Sequence, residues 1–180
     1  MDKPTQRAAL KTTLQHLNNK PKKSTAICKQ LQQWLTTHHP PHLGAFVPSK
    51  TEPNIWPVLH DYAASNPLFL PQFNASTNRY QWAQYKGVLV KGPFGISEPP
   101  SPSPPLPPKH CLVPALGIDH HGNRLGWGHG FFDRLLCPTM PDRIGIVFEC
   151  QCIRHIPTDP WDIPVTAVIT ETATVTPPIG

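Results

Sequence analysis

Three glycines at alternate positions, Gly126, Gly128 and Gly130, form the most distinctive short segment of the chain. Alternate glycines weaken both helices and strands, so they indicate a place where backbone has to approach another group closely. A predicted strand precedes them, and a helical pattern, FFDRLL, follows them. That order brings backbone N–H groups and a helix N-terminus to one point, which is how proteins hold phosphate. The segment therefore predicts a nucleotide site.

Charged side chains flank the glycines on both sides. Arg124 would add a fixed positive charge for a phosphate, and Asp133 a carboxylate able to bind magnesium beside it. Taken alone, G-x-G-x-G is equally compatible with a tight turn that packs a helix on a sheet. Arg124 could also simply pair with Asp119 or Asp133 at the surface. The segment has neither the lysine and spacing of a P-loop nor the spacing of the Rossmann fingerprint.

Helices and strands alternate around this segment. Apolar residues at helical spacing predict two helices at the start of the chain, through Leu10, Leu14 and Leu17 and then through Ile27, Leu31, Trp34 and Leu35. A third helix is predicted within residues 52–65, with Pro53 in its first turn. Short apolar runs predict strands at 44–49, 68–73, 79–85, 111–118, 143–149 and 166–172. The alternation predicts an α/β fold, a three-layer α/β/α sandwich with a mostly parallel sheet.

The length of 180 residues is enough for one domain with its own core, and we expect a single domain over residues 1–180. The chain contains 25 prolines, a far higher share than the roughly 5% typical of proteins. Seven of them fall in the thirteen residues 98–110. This stretch predicts a stiff polyproline-type connector at the surface.

The net charge of +5 is compatible with an anionic partner such as a nucleotide, a polyglutamate or a nucleic acid. Lysines and arginines are spread along the chain apart from KPKK at 20–23, and no nucleic-acid motif accompanies them. Direct nucleic-acid binding is therefore a minor hypothesis. It predicts binding to RNA or DNA that weakens strongly with salt.

Five cysteines without a C-x-x-C pair favour reduced thiols over a disulfide framework or a zinc ribbon. His38, His39 and His42 lie in THHPPH, where two prolines favour an exposed loop over a metal site. No apolar run is long enough for a signal peptide or a membrane span. We therefore expect a cytoplasmic protein without a membrane partner.

Residues 113–136, VPALGIDHHGNRLGWGHGFFDRLL, resemble the signature VP-x-x-x-F/L-D-x-x-G-x-R-L-G-x-G-x-G-Y-Y-D-R-x-L of the 5-formyltetrahydrofolate cyclo-ligases, also called methenyltetrahydrofolate synthetases. Arg7, Leu10 and Lys11 resemble the K-x-x-L-R pattern near the N-terminus of that family. Further similar segments follow in the family's order: FVPSKTEPNI, LFLP, GISEP, FECQ and IPTDPWDIPVTAVITE. The resemblance therefore extends over nearly the whole chain.

The resemblance implies an ATP- and magnesium-dependent enzyme that converts 5-formyltetrahydrofolate, with or without a polyglutamate tail, into 5,10-methenyltetrahydrofolate with release of ADP and phosphate. It implies catalytic roles for Arg124 and Glu52, and magnesium binding by Asp133 and Asp162. The implied ATP contacts are Arg7, Lys11, Arg124, Leu125, Gly126, Trp127, Gly128, His129, Gly130, Phe131 and Phe132. The implied folate contacts are Val47, Glu52, Trp127, Gly128, His129, Gly130 and Phe131. A monomer or weak homo-oligomer is expected.

Several of these residues also have a purely structural interpretation. Arg7 and Lys11 could form a solvated helix face, which would be the preferred interpretation without the family resemblance. Glu52, next to Pro53, could cap a helix N-terminus, and Asp162 could form a turn.

The chain also departs from the family pattern. Trp127 and His129 stand where a cation is usual in the glycine segment, Phe131 and Phe132 replace a tyrosine pair, and Thr166 replaces an acid. These departures support a second hypothesis, a catalytically weak or inactive homologue that binds nucleotide or folate as a regulatory or storage module.

Overall fold

The chain begins with two long helices in the computed structural model, which describes residues 1–100, 107–128 and 130–178. They are α1 (Lys3–His16) and α2 (Lys20–His38), and each has a proline in its first turn. The Asp2 carboxylate caps α1 by accepting a hydrogen bond of 3.0 Å from the Thr5 backbone N–H. The predicted apolar faces of both helices are buried apart from Leu17 and Leu35, which are partly buried, and this confirms the first two predicted helices.

The remaining elements alternate as the sequence predicts. The other helices are α3 (Trp56–Ala63), α4 (Phe131–Leu135) and a 3₁₀ turn at Glu149–Gln151. The strands are β1 (Leu43–Gly44), β2 (Leu68–Asn74), β3 (Arg79–Gln84), β4 (Val90–Lys91), β5 (Ser97–Glu98), β6 (His110–Pro114), β7 (Gly117–Asp119), β8 (Arg124–Leu125), β9 (Asp142–Ile146), β10 (Cys152–Ile153), β11 (Ala167–Ile169) and β12 (Thr174–Val175).

A central sheet of seven strands has the order β12-β11-β9-β6-β1-β2-β3. Its five inner strands are parallel to one another, and an antiparallel strand lies at each edge. Adjacent residues of β6 serve opposite faces: Leu112 packs in the core beneath α1, α2 and α3, whereas Val113 packs with Leu135 of α4 and with Met140. Both faces are covered, which confirms the predicted α/β class with a mostly parallel sheet.

Two small sheets flank the central one. The strands β10, β7 and β8 form one of them, and the β4–β5 hairpin forms the other. The predicted strand at 111–118 is divided between β6 and β7. Ala115 and Leu116 lie between the two strands, and their carbonyl oxygens accept hydrogen bonds of 2.9 and 3.1 Å from the Gln151 side chain.

Prolines account for two further differences from the sequence predictions. The third helix begins at Trp56, so Pro57 rather than Pro53 lies in its first turn. A proline is tolerated only in that turn because it lacks the N–H that the helix interior requires. In the proline-rich stretch, residues 101–106 lie outside the described residues, while Pro108 is buried against Gly44 and so packs onto the sheet.

The histidines of THHPPH lie at the C-terminal end of α2 and just after it. His38 and His39 are exposed, as the sequence predicts, whereas His42 is half-buried. The His38 ring stacks on Trp34 with centroids 4.3 Å apart. None of the described helices combines the length and apolar character that crossing a membrane requires.

Candidate functional site

The structure has two adjacent cavities. The first opens where the parallel strands β1 and β6 end, the edge at which ligands bind in open α/β sheets. Among the described residues, both cavities are lined by Arg124, Gly126, Gly130 and Asp133. The glycine segment therefore separates two spaces of different chemistry and has one side in each.

The first cavity has a volume of about 300 Å³ and a largely aromatic wall. Its rings come from Phe46, Tyr80, Phe94, Trp127, Phe131 and Phe132. Phe131 lies 4.7 Å from Tyr80 and 5.1 Å from Phe94, measured between ring centroids. A few polar groups, among them Glu52, interrupt this wall. Such a cavity suits a ligand with a flat ring system, because the aromatic wall can pack against the ring and the few polar groups can fix its orientation.

The second cavity has a volume of about 220 Å³ and is lined mainly by charged groups. Three cations, Lys3, Arg7 and Arg124, face three carboxylates, Asp133, Asp159 and Asp162, among the described residues that line it. The glycine segment supplies backbone, and Trp161 supplies the aromatic ring. Mixed charges of this kind suit a phosphate chain with a divalent cation.

Arg124 lies on β8, buried between the two cavities, and forms an ion pair with Asp133. Burial lowers its pKa to about 10, with Asp162 opposing the shift, so the guanidinium stays charged at neutral pH. Its Nε–H is buried and has no hydrogen-bond partner among the described residues. A buried unpaired donor costs free energy, and a phosphate oxygen would satisfy it. The predicted pairing with Asp133 is confirmed, but Arg124 is not at the surface.

The glycine segment needs glycine for its backbone conformation. Gly128 and Gly130 have φ angles of 109° and 64°, which residues other than glycine rarely adopt. At Gly126 a Cβ atom would lie 3.2 Å from an Arg124 guanidinium nitrogen, so glycine there leaves room for the guanidinium. His129 lies outside the described residues.

The residues of α1 in this site are Lys3 and Arg7, which lie one helical turn apart and both line the second cavity. The Arg7 Nε–H donates a hydrogen bond of 3.0 Å to the Gly126 carbonyl oxygen. Lys11 is exposed and is not among the described residues that line either cavity.

Sequence reasoning missed Lys3 because it aligned the K-x-x-L-R pattern with Leu10. Residues 3–7, KPTQR, carry the lysine and the arginine in the order of that pattern, with Gln6 in place of leucine. Gln6 is buried, and its side-chain amide donates a hydrogen bond of 2.7 Å to the His155 carbonyl oxygen. The order of the two basic residues was the signal that could have identified Lys3.

Asp133 and Asp162, the predicted magnesium ligands, both line the second cavity. Asp162 accepts hydrogen bonds of 2.8 Å from Lys3 Nζ and 2.9 Å from the Asp159 backbone N–H. Partial burial opposes the shift, but these bonds and the nearby charge of Arg124 lower the pKa of Asp162. Asp162 thus also shapes a turn, as its structural interpretation required.

Within residues 1–100, 107–128 and 130–178, no three His, Cys, Asp or Glu side chains form a ready-made metal cluster. Magnesium bound with a nucleotide needs only one or two carboxylates beside phosphate oxygens and water, and the second cavity offers these.

Glu52 and Val47, the predicted folate contacts that follow β1, line the first cavity. A Glu52 carboxylate oxygen accepts a hydrogen bond of 2.8 Å from the Ser49 backbone N–H. Burial raises the pKa of Glu52, against the effect of Ser49 and of the nearby Trp127 indole. The Trp127 indole N–H lies close enough to stabilise the ionised form of Glu52, but it forms no hydrogen bond of normal geometry with a described residue. Glu52 does not cap α3, whose N-cap residue is Ile55.

The other predicted residues divide between the two cavities. Leu125 and Gly128 line the second, whereas Trp127, Phe131 and Phe132 line the first only. Sequence reasoning did not single out Tyr80, Phe94, Asp159 or Trp161. Tyr80 and Phe94 lie on β3 and on the β4–β5 hairpin, and only the folded chain brings them to the glycine segment.

Comparison with known proteins gives matches over most of the chain. The family model described as the 5-formyltetrahydrofolate cyclo-ligase family matches residues 1–171. Proteins named 5-formyltetrahydrofolate cyclo-ligase from Mycolicibacterium smegmatis and Escherichia coli K12 are 37% identical over 121 residues and 34% identical over 122 residues. Each alignment covers 63% of this chain, and the chain spans only 57% and 60% of those two relatives.

Solved structures have the same fold. The NMR structure of Aquifex aeolicus 5,10-methenyltetrahydrofolate synthetase matches with a TM-score of 0.86 and 25% identity, over 100% of this chain and 95% of that one. A 5,10-methenyltetrahydrofolate synthetase from Mycoplasma pneumoniae matches with a TM-score of 0.73 and 21% identity, over 95% and 99% of the two chains. The second likeness concerns the fold alone. With the family model matching 171 of its 180 residues, the chain belongs to the 5-formyltetrahydrofolate cyclo-ligase family.

Proposed function

We propose that this protein converts 5-formyltetrahydrofolate into 5,10-methenyltetrahydrofolate, using ATP with magnesium and releasing ADP and phosphate. One observation supports this most directly: an aromatic cavity and a cavity lined by charges of both signs share the wall formed by Arg124, Gly126, Gly130 and Asp133. Ligands in the two cavities would meet at that wall. The names of the relatives support the same reaction, and the family is in general ATP-dependent.

The folate belongs in the first cavity under this proposal. Its fused ring would lie among the aromatic side chains, where stacking supplies much of the binding free energy. Two buried donors, the Tyr80 hydroxyl and the Trp127 indole N–H, have no hydrogen-bond partner among the described residues and are available for its polar atoms. Burial, with a smaller contribution from Glu98, raises the pKa of Tyr80 to about 12, so this hydroxyl keeps its proton.

The phosphates of ATP belong in the second cavity. Lys3, Arg7 and Arg124 would bind the phosphate oxygens together with the backbone of the glycine segment. Asp133 and Asp162 would hold magnesium, which when bound neutralises negative charge on the phosphates. Each of these carboxylates is now paired with a cation, Asp133 with Arg124 and Asp162 with Lys3. When magnesium binds these carboxylates, Lys3 and Arg124 would bind phosphate oxygens instead.

The proposed reaction has two steps, phosphorylation of the formyl oxygen and ring closure. The formyl oxygen attacks the γ-phosphorus, an O–P bond forms, and the bond to ADP breaks with its electron pair leaving on ADP. The neighbouring folate nitrogen, N10, then attacks the activated formyl carbon. A C–N bond forms, the C–O bond breaks, phosphate leaves with the former formyl oxygen, and N10 loses its proton.

The protein contributes position and charge to these steps. Arg124, at the shared wall, would stabilise the charge that spreads over the transferring phosphoryl group. Glu52 lies in the folate cavity and would accept a hydrogen bond from the attacking nitrogen and balance the cationic product. The relatives' names favour the enzyme over the binding-only homologue. Among the departures from the family pattern, Trp127, Phe131 and Phe132 supply ring surface to the folate cavity.

The decisive experiment mixes purified protein with 5-formyltetrahydrofolate, ATP and magnesium and follows the near-ultraviolet absorbance of the methenyl product. We expect a rise that requires both ATP and magnesium. A flat trace from protein that still binds ADP would instead establish the binding-only homologue.

A further inference from the structure

Trp161 is an exposed aromatic residue, with 72% of its surface accessible, yet it lines a cavity whose wall is mainly charged. Single exposed apolar residues are common and by themselves indicate nothing. Trp161 differs because it shares the wall of the second cavity with the cations Lys3, Arg7 and Arg124. It is the aromatic group that the described wall of the second cavity offers to a ligand.

The turn that carries Trp161 is held from several sides. The Asp162 N–H donates to the Asp159 carbonyl oxygen at 3.0 Å, and the Asp159 N–H donates to the Asp162 carboxylate at 2.9 Å. Lys3 Nζ then bonds both carboxylates, at 2.6 and 2.8 Å, and ties the turn to α1. Trp161 therefore belongs to a turn that is fixed by hydrogen bonds and by Lys3, within the wall of the second cavity.

A ligand with anionic and aromatic parts fits this arrangement. Its phosphates would lie beside the cations of the cavity. The planar base attached to them would lie outside the charged region, next to Trp161. We propose that Trp161 stacks against the base of the nucleotide co-substrate. This inference rests on the proposed function, which requires a nucleotide in the second cavity, and it adds the residue that recognises the base.

Two probes separate stacking from phosphate binding. ADP has a base, and inorganic tripolyphosphate has phosphates alone. Calorimetric titration of the full chain in the presence of magnesium should show that Trp161→Ala weakens ADP binding by roughly tenfold to one-hundredfold. The same variant should bind tripolyphosphate as the wild type does, and Trp161→Phe should retain most of the ADP affinity.

Fluorescence supplies a second readout. ADP should quench the emission of the exposed Trp161 in the wild type, and Trp161→Phe should lose that quenching while still binding ADP.

Unchanged ADP affinity in Trp161→Ala would overturn the inference. An equal loss for ADP and tripolyphosphate would also overturn it, because it would show that Trp161 only supports the turn. Methenyl formation by the wild type is measured in parallel. If product forms while Trp161→Ala binds ADP normally, only the stacking inference fails. If the wild type neither forms product nor binds either probe, the proposed function fails and the inference fails with it.

Discussion

Lys3 and Asp162 are 159 positions apart in the chain and are joined by an ion pair of 2.8 Å at the edge of the second cavity. The pair links the first turn of α1 to the turn that carries a predicted magnesium ligand. Lys3 is thus both a candidate phosphate ligand and the present partner of that carboxylate.

Replacing Lys3 with Gln should raise the KM for ATP by about tenfold or more, because a charge-assisted contact to phosphate is lost. Thermal stability should change little, since ion pairs this accessible contribute at most about 1 kcal/mol. Steady-state kinetics at saturating folate measures the first effect, and thermal unfolding measures the second. Lys11→Gln is the matched control, because Lys11 lies on the same helix outside both cavities. Equal effects of the two substitutions would contradict the assignment of Lys3.

Replacing Arg124 with Ala should lower kcat/KM for ATP by one to two powers of ten, the size expected for the loss of a charged contact in the transition state. Arg124→Lys should recover only part of this, because lysine lacks the planar fork of donors. The product absorbance assay gives both values. Arg134→Ala on α4 is the control, since Arg134 is exposed and lines neither cavity in the described structure. Wild-type kinetics in Arg124→Ala would remove this residue from the mechanism.

Replacing Gly128 with Ala should destabilise the protein by about 1–2 kcal/mol and weaken ATP binding, because alanine resists a positive φ. Gly87→Ala controls for the backbone effect. Gly87 has a φ of 85°, a Cβ added there would meet no atom within 4 Å, and the residue lines neither described cavity. Chemical denaturation should show similar losses of stability in both variants, while ATP binding should weaken only in Gly128→Ala. Normal ATP affinity in Gly128→Ala would show that the segment does not need this conformation to bind nucleotide.

Replacing Glu52 with Gln should stabilise the protein at neutral pH while reducing product formation. Burial raises the pKa of Glu52 above its ordinary value near 4.5, so the folded state binds its proton more tightly than the unfolded state. The ionised side chain therefore lowers the free energy of unfolding, and this effect begins as the pH rises above 4.5. We expect the difference in Tm between Glu52→Gln and the wild type to vanish at or below that pH and to grow above it. A Tm difference independent of pH would refute the linkage.

Much of the architecture followed from local patterns. The helical spacing through Leu10 and Leu31 and the apolar strand runs predicted the elements, because burial of one helix face and of a central strand leaves a periodic signature. The glycine segment was also predicted from the sequence. Backbone with a positive φ favours glycine, and these glycines lie within a few residues of one another. The start of α3 was misplaced because two prolines four positions apart both suit a first turn.

The missed site residues depend on contacts between distant segments. Trp161 has no local pattern that distinguishes a cavity wall from an ordinary turn. Tyr80 reaches Phe131 only through the placement of β3 at the edge of the sheet. Lys3 was hidden for a different reason, because a short basic pattern can be aligned in two registers and only the folded position of α1 selects one.

The wall that the two cavities share has a thermodynamic consequence. A ligand that moves Arg124 or Asp133 in one cavity changes the surface that the other cavity offers. Under the proposed function, folate and nucleotide binding are then linked, and reciprocity requires that each ligand change the affinity of the other by the same factor. An apparent ATP affinity measured without folate therefore describes a different equilibrium from the one at work when both cavities are filled.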